Sequence, residues 1–322
     1  MSNAIVFISR SDKPGPWLHA LTPALPEVDF AHDFHVWPQC MDESSSLEDP
    51  GAVDIAIVWQ PQPGALKDFP NLKAVINLGA GVDAILGDET YPRHVPLVRM
   101  VDPALTRHMS EFVVHRVLHF HRKLHLYDQM QQGHEWRELI QDDTLDKRVG
   151  IMGLGALGTD AVHRLAPFGF RLAGWSRSQK HLDGVVSFPG SDGLQPFLTR
   201  TDILVCLLPL TPETENIINA EGLARLPEGA YVINAARGGH VNEADLLAAL
   251  ESGHIAGAAL DVFKEEPLPD DSPFWDHPNV LVTPHVASLS SPKSSAVEIA
   301  ENIRRIRRGE PPKDLVDMEA GY

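Results

Sequence analysis

The chain has 322 residues, 43% of them hydrophobic and 22% charged, a balance that suits two folded domains and excludes large-scale disorder. Its 44 acidic and 27 basic residues leave a formal net charge of −17, which argues against nucleic-acid or anionic-membrane partners, because both need a positive surface. A site for an acidic substrate must then be locally positive, built by an arginine, a histidine or helix N-termini.

The first ten residues, MSNAIVFISR, have no basic region followed by a long apolar stretch, so no secretory leader is expected, and no window reaches the roughly 18 apolar residues of a membrane span. AIVFI (4–8), VDIAIVW (53–59) and LKAVINL (72–78) read as strands, rich in Val and Ile and apolar on both faces, as parallel strands covered on both sides are. SSSLED (44–49) reads as a loop. Asp102-Pro103 is an N-cap followed by proline at the first helical position, and the helical pattern runs from about Pro103 to Gln132, stopped by Gly133. That helix is long enough to link domains or form a subunit interface. It carries His115/His119 and His121/His125 at helical i, i+4 spacing, but no carboxylate pattern completes a metal site, and a plain helix face is the reading adopted.

From Arg148 the alternation restarts, with strands at RVGIMG (148–153), FRLAGW (170–175), DILVCLL (202–208), AYVINAA (230–236), GHIAGAALDV (253–262) and NVLVTP (279–284). Helices fall between them, including TDAVHRLAPF (159–168) and NEADLLAAL (242–250), and a last helix spans about Pro292 to Arg308. This is a doubly wound α/β pattern. Cys206 lies inside an apolar strand, and with Cys40 as the only other cysteine there is no disulfide framework, which fits a reducing cytoplasm.

Residues 153–158 read GLGALG after a strand and at the start of a helix, the context a dinucleotide-binding turn requires. Gly153 allows the tight turn, Gly155 lets a pyrophosphate approach the backbone, and Gly158 lets the helix pack close, with Ala156 and Leu157 in the first helical turn. An NAD site carries an acidic residue about 20 positions on. Here the next strand ends in Trp175-Ser176-Arg177-Ser178, with no carboxylate. Arg177 can grip a 2′-phosphate while Ser176 and Ser178 donate hydrogen bonds, so NADP(H) is favoured over NAD(H).

Three further segments follow strands: NAARGG (234–239), DVFKEEPLP (261–269) and TPHVAS (283–288). Reduction of a 2-keto acid needs a cation for the carboxylate and ketone, and Arg237 can serve. It needs an acid for the new alkoxide, and His285 can serve, since an imidazole is the side chain that commonly exchanges protons near neutral pH. It needs a carboxylate that orients this histidine and favours its cation, and Glu266 suits.

The series GLGALG, NAARGG, DVFKEEPLP and TPHVAS resembles the D-isomer-specific 2-hydroxyacid dehydrogenase family over nearly the whole chain. WSRS and NLGAGVD are similar to its glyoxylate/hydroxypyruvate reductase A branch. The resemblance implies two Rossmann-like α/β domains, doubly wound with a parallel sheet each and a cleft between them: a discontinuous substrate-binding domain, 1–101 plus 286–322, and an NADP-binding domain, 102–285. It implies catalytic roles for Arg237, Glu266 and His285. It implies substrate contacts from Trp59, Gly79, Ala80, Gly81 and Val82, beside Arg237 and His285. It adds Leu208, Pro209, Thr214, Ala235, Ala236, Asp261, His285 and Ser288 to the cofactor site, and implies a homodimer. The expected activity is NADPH-dependent reduction of a small 2-keto acid such as glyoxylate or hydroxypyruvate, with no metal. The alternative is a non-catalytic dinucleotide-sensing scaffold like the family's co-repressors, and a third is an NAD-dependent enzyme for a larger keto acid.

Overall fold

Strands apolar on both faces must lie between two helical layers, and a computed structural model, which describes residues 3–37 and 47–321, arranges the chain in that way. Cys40 and the first half of the expected 44–49 loop lie outside the described residues. The chain divides into two units, 1–105 with 289–322 and 106–288, against the boundaries of 101/102 and 285/286 expected from sequence.

The smaller unit contains β1 (Ala4–Ser9), α1 (Pro14–Ala24), α2 (Phe30–Asp33), β2 (Phe34–Val36), β3 (Val53–Trp59), β4 (Ala74–Asn77), α3 (Asp83–Leu86) and β5 (Leu97–Val98). Its sheet runs β2-β1-β3-β4-β5 with every pairing parallel. β1 is buried at every position. Each fully buried Ile or Val there contributes roughly 1.5–3 kcal/mol.

The helix α4 (Pro103–His121) begins in this unit, with Asp102 Oδ1 accepting from Ala104 N–H at 2.7 Å. It does not run on to Gln132. Lys123 takes φ +56°, and a second helix, α5 (Leu124–Gln132), starts after it. His121 and His125 therefore sit on different helices and form no i, i+4 pair. His121 packs edge-on against Phe170, while His125 packs against Phe120 and Tyr231.

The larger unit continues with β6 (Arg148–Met152), α6 (Ala156–Leu165), β7 (Arg171–Ser176), β8 (Val185–Pro189), α7 (Gly190–Thr199), β9 (Ile203–Cys206), α8 (Ala220–Arg225), β10 (Ala230–Asn234), α9 (Glu243–Glu251), β11 (Ile255–Leu260) and β12 (Val280–Val282). Its sheet order is β12-β11-β10-β9-β6-β7-β8, all parallel. The order reverses between β6 and β9, the place where such sheets bind ligands beyond the strands' C-terminal ends.

The last helix, α10 (Pro292–Arg307), returns to the smaller unit and ends at Gly309 with φ +75°. Its Arg307 pairs with the buried Asp54 at 2.9 Å and its Arg304 with Glu27 at 2.6 Å. At its N-terminal end, Ser294 and Ser295 both donate to Asp102 Oδ2, at 2.6 and 2.8 Å. Asp102 thus caps α4 and holds the start of α10 with one buried carboxylate.

Candidate active site

The loop after β6 is built around its glycines. Gly153 takes φ +98°, a backbone shape that a side chain disfavours, and its N–H donates to Trp175 O at 2.8 Å. A Cβ on Gly158 would lie 1.8 Å from the Gly153 carbonyl oxygen, so only glycine lets α6 start this close to the turn. Gly155 differs: a Cβ there would meet nothing within 4 Å. The protein itself does not need that glycine, and the open space at the N-terminus of α6 is where a diphosphate would approach. Gly155 and Ala156 are exposed and Leu157 is half-buried. The first N–H groups of any helix lack intrahelical partners, so the donor set fits a dinucleotide.

At the end of β7, Trp175 Nε1 donates to Gly190 O at 2.8 Å and Ser176 Oγ donates to Ser178 O at 2.8 Å. Ser176 is buried, and its proton holds the turn rather than facing outward; Arg177 and Ser178 are exposed. After β9, Leu208 is buried, and Thr214 Oγ1 donates to Pro209 O at 2.7 Å while accepting from Thr211 N–H at 2.8 Å. Thr214 braces the Pro209 wall through its hydroxyl. Ala235 and Ala236 continue β10 and are buried.

Arg237 follows directly. The buried Asn234 donates from Nδ2 to Arg237 O at 2.9 Å and accepts Ala236 N–H at 3.2 Å. Gly238 is obligatory, because a Cβ would fall 1.9 Å from the Phe263 backbone. The Arg237 turn is therefore packed directly on the loop after β11.

That loop carries Asp261, 1% exposed, whose carboxylate accepts Thr283 Oγ1 at 2.6 Å, Val286 N–H at 3.0 Å and Ala287 N–H at 2.9 Å. The Asp261 carbonyl accepts His285 N–H at 2.8 Å, and His285 itself has φ +54°. A non-glycine residue in this region is held there by its surroundings. Asp261, expected as a cofactor contact, is found anchoring the His285 segment. Ser288, half-buried, closes that segment.

His285 Nδ1 lies 2.8 Å from Glu266 Oε2, with side chains 26% and 31% exposed. Glu266 Oε1 accepts Phe263 N–H at 3.0 Å. Burial pushes the Glu266 carboxyl up, but the hydrogen bonds from His285 and Phe263 and the nearby Arg237 charge outweigh it and hold it below the usual carboxylate range. An ionised Glu266 accepts a hydrogen bond from Nδ1–H of His285, which leaves proton exchange to Nε2. Arg237, Glu266 and His285 therefore share one electrostatic neighbourhood.

In the smaller unit, β3 and β4 are paired neighbours and end at Trp59 and Asn77. The Trp59 ring lies over Gly79 so closely that a Cβ there would be 2.0 Å from it. The buried Asn77 amide donates to Gly79 O at 2.8 Å and Gly81 O at 2.9 Å. Both carbonyls are drawn inward. Among the described residues, the N–H groups of Ala80, Gly81 and Val82 donate to no protein acceptor, which suits a carboxylate. Among the described residues, no group of three or more His, Cys, Asp or Glu is arranged to hold a metal.

Residues 114–287 match the D-isomer specific 2-hydroxyacid dehydrogenase, NAD binding domain. The chain is 43% identical over 323 residues to a glyoxylate/hydroxypyruvate reductase A of Serratia proteamaculans, covering 99% of both chains. This chain belongs to the D-isomer specific 2-hydroxyacid dehydrogenase family. Solved relatives agree. A D-isomer specific 2-hydroxyacid dehydrogenase from Xanthobacter autotrophicus Py2, in complex with NADPH and MES, superposes with a TM-score of 0.93 at 46% identity, covering 100% of both chains. An NADPH-dependent glyoxylate/hydroxypyruvate reductase from Sinorhizobium meliloti, in complex with NADP and sulfate, gives 0.87 at 40% identity, again over 100% of both.

Three buried polar residues beside these turns went unassigned in the sequence: Asn77, Asn234 and His240. Each is buried and polar and sits one to five residues from a glycine-rich turn. An asparagine closing an apolar strand just before such a turn is the signal that could have found the first two.

Proposed function

We propose that this chain reduces a small 2-keto acid, glyoxylate or hydroxypyruvate, to its 2-hydroxy acid with NADPH. The observation that carries the reading is the 2.8 Å His285–Glu266 pair beside the charge of Arg237. The reading is supported by NADPH or NADP in the solved relatives.

Gly153, Gly155, Ala156, Leu157 and Gly158 would hold the diphosphate, Arg177 and Ser178 the 2′-phosphate, and Leu208, Pro209, Ala235 and Ala236 the remaining face of the dinucleotide. When bound there, NADPH would supply the hydride that the carbonyl carbon receives. Arg237 presents a planar fork to the substrate carboxylate and stabilises charge developing on the ketone oxygen. His285 Nε2 delivers the proton to that oxygen. Glu266 keeps the ring in the Nδ1–H form and stabilises the imidazolium before transfer. Trp59 and the Gly79–Val82 turn are assigned to the substrate, which makes 1–101 with 286–322 the substrate domain and 102–285 the NADP domain.

We further propose a cytoplasmic homodimer without a nucleic-acid partner. Support comes from the free buried Cys206, the charge of −17, and a segment that exposes Trp136 at 99% and Ile140 at 87%. No helix of the described residues is long and apolar enough to cross a membrane.

The test is reduced-nicotinamide oxidation with glyoxylate, hydroxypyruvate, pyruvate and phenylpyruvate, each with NADPH and NADH. Turnover with NADPH and glyoxylate or hydroxypyruvate is expected, and it should collapse in His285→Ala. Unchanged turnover in that variant removes the centre of the mechanism. Tight NADPH binding with no turnover on any of the four favours the sensing scaffold.

A further inference from the structure

His240 is completely buried, 0% exposed, three residues beyond Arg237. Its ring touches two loops of the proposed site. Nε2 lies 3.2 Å from the carbonyl oxygen of Pro209, after β9, and Nδ1 lies 3.3 Å from the backbone N–H of Arg237, after β10. The Arg237 carbonyl is 3.1 Å from Nδ1 and also accepts from Asn234 Nδ2 at 2.9 Å.

Burial pulls the imidazole pKa down, but the Cys206 thiol and the carbonyls of Pro209 and Arg237 outweigh it and hold it above the usual histidine range. In the neutral ring, one tautomer satisfies the Pro209 carbonyl and the Arg237 N–H together. A neutral ring with its proton on Nε2 donates to Pro209 O and accepts the Arg237 N–H on Nδ1. The opposite tautomer would set two N–H groups against each other at Arg237 and two lone pairs against each other at Pro209.

We infer that His240 is a positioning residue. One buried imidazole sets the backbone of the substrate-binding Arg237 through Nδ1 and that of the cofactor wall at Pro209 through Nε2. Thr214 braces the same Pro209 carbonyl, so that side has a second support. Arg237 N–H donates to the imidazole. The inference rests on the proposed reaction for its kinetic consequences and on the structure alone for its tautomer.

Two variants separate the two ends of the ring. In His240→Asn the side-chain oxygen sits near the Nδ1 position, so the Arg237 link survives and the Pro209 link is lost. In His240→Gln the amide reaches the Nε2 position, so the Pro209 link survives and the Arg237 link is lost. His240→Gln should lower kcat/KM for the keto acid about 10- to 100-fold, as a 1 Å misplacement of a binding group does, with the KM for NADPH close to wild type. His240→Asn should raise the KM for NADPH roughly 3- to 10-fold through Pro209 and spare kcat. Combining His240→Gln with Arg237→Lys should cost much less than the two single losses multiplied, because both act on one group.

Equal losses on both substrates in both variants, tracking Tm, overturn the inference, as does strict multiplicativity with Arg237→Lys. If neither variant folds, or if wild type turns over none of the keto acids, the tautomer decides. 15N NMR of histidine-labelled wild type, read above the pH at which the ring gives up its second proton, should show the neutral His240 with its proton on Nε2, and a neutral ring with its proton on Nδ1 overturns the proposal whatever the reaction proves to be.

Discussion

Replacing Gly158 by alanine puts a methyl group 1.8 Å from the Gly153 carbonyl oxygen, where carbon and oxygen rest at about 3.3 Å or more. Both partners are backbone, so the start of α6 must move by roughly 1.5 Å away from the turn. Overpacking of this kind costs about 1–3 kcal/mol, and the better helix propensity of alanine offsets about 1 kcal/mol. A net loss of up to about 2 kcal/mol lowers Tm by up to about 8 °C in a unit of this size. The same displacement turns the helix N–H groups away from the diphosphate, and the NADPH Kd should rise about 10-fold or more, which is about 1.4 kcal/mol. Gly155→Ala is the internal control. Its Cβ meets nothing within 4 Å and its φ of −80° suits alanine, so Tm should move by less than about 2 °C while NADPH binding still weakens, because the methyl occupies the approach to the backbone. Thermal denaturation and fluorescence titration with NADPH read the two quantities. Equal Tm losses in both variants, or wild-type NADPH affinity in Gly155→Ala, would refute the assignment of the cradle.

Arg177→Ala should raise the KM for NADPH about 10- to 100-fold and leave that for NADH nearly unchanged, since a charge-assisted phosphate contact is removed; equal effects on both cofactors would remove Arg177 from the 2′-phosphate site. Asp261→Asn should lower kcat at least about 10-fold and cost about 1–3 kcal/mol of stability, because one buried N–H of the His285 segment then faces an amide N–H₂; a variant altered only in NADPH affinity would return Asp261 to the cofactor wall. Burial, then the neighbouring His119, pushes His125 down from 6.5 to about 4. A lowered histidine stays neutral in the fold, so its contribution is complete above the unfolded value of about 6.5 and is lost as pH falls toward 4, by at most about 3 kcal/mol. Chemical denaturation across that range should show the loss, and His125→Leu should flatten it.

The motifs that handle ligands were legible because their chemistry leaves little choice of residue. A backbone turn at φ +98° and a Cβ clearance of 1.8 Å demand glycine at 153 and 158, and a proton donor paired with a carboxylate leaves His285 and Glu266. The supports behind them were not legible. Asn234 and His240 act by reaching backbone groups of their own and neighbouring loops, and one side-chain type in a sequence does not say which carbonyl it will meet. The strands show a similar split. Three that were not anticipated, β2, β5 and β8, all lie at sheet edges. An edge strand has one hydrogen-bonded neighbour and less to bury, so β8 shows exposed and half-buried positions instead of an apolar run. The break between α4 and α5 falls at Arg122-Lys123, where no Gly or Pro announces it; Lys123 is held there by its Nζ, which donates to Ile140 O at 2.7 Å, a contact across residues with no shared pattern.

The anchoring of α10 by Asp102, Asp54 and Glu27 bears on the order in which the protein matures during synthesis. The larger unit is one uninterrupted stretch, 106–288, whereas the smaller closes only with residues 289–322. A ribosome therefore delivers the whole of the larger unit while the smaller one still lacks its final helix and leaves the buried Asp54 carboxylate without Arg307. Domains generally fold as units as they emerge, so the inserted unit should be native first, and the half that starts the chain should be the last to become stable. Truncations within α10 should then leave a protein whose first hundred residues are protease-sensitive although they were made first, while the stretch translated after them resists digestion.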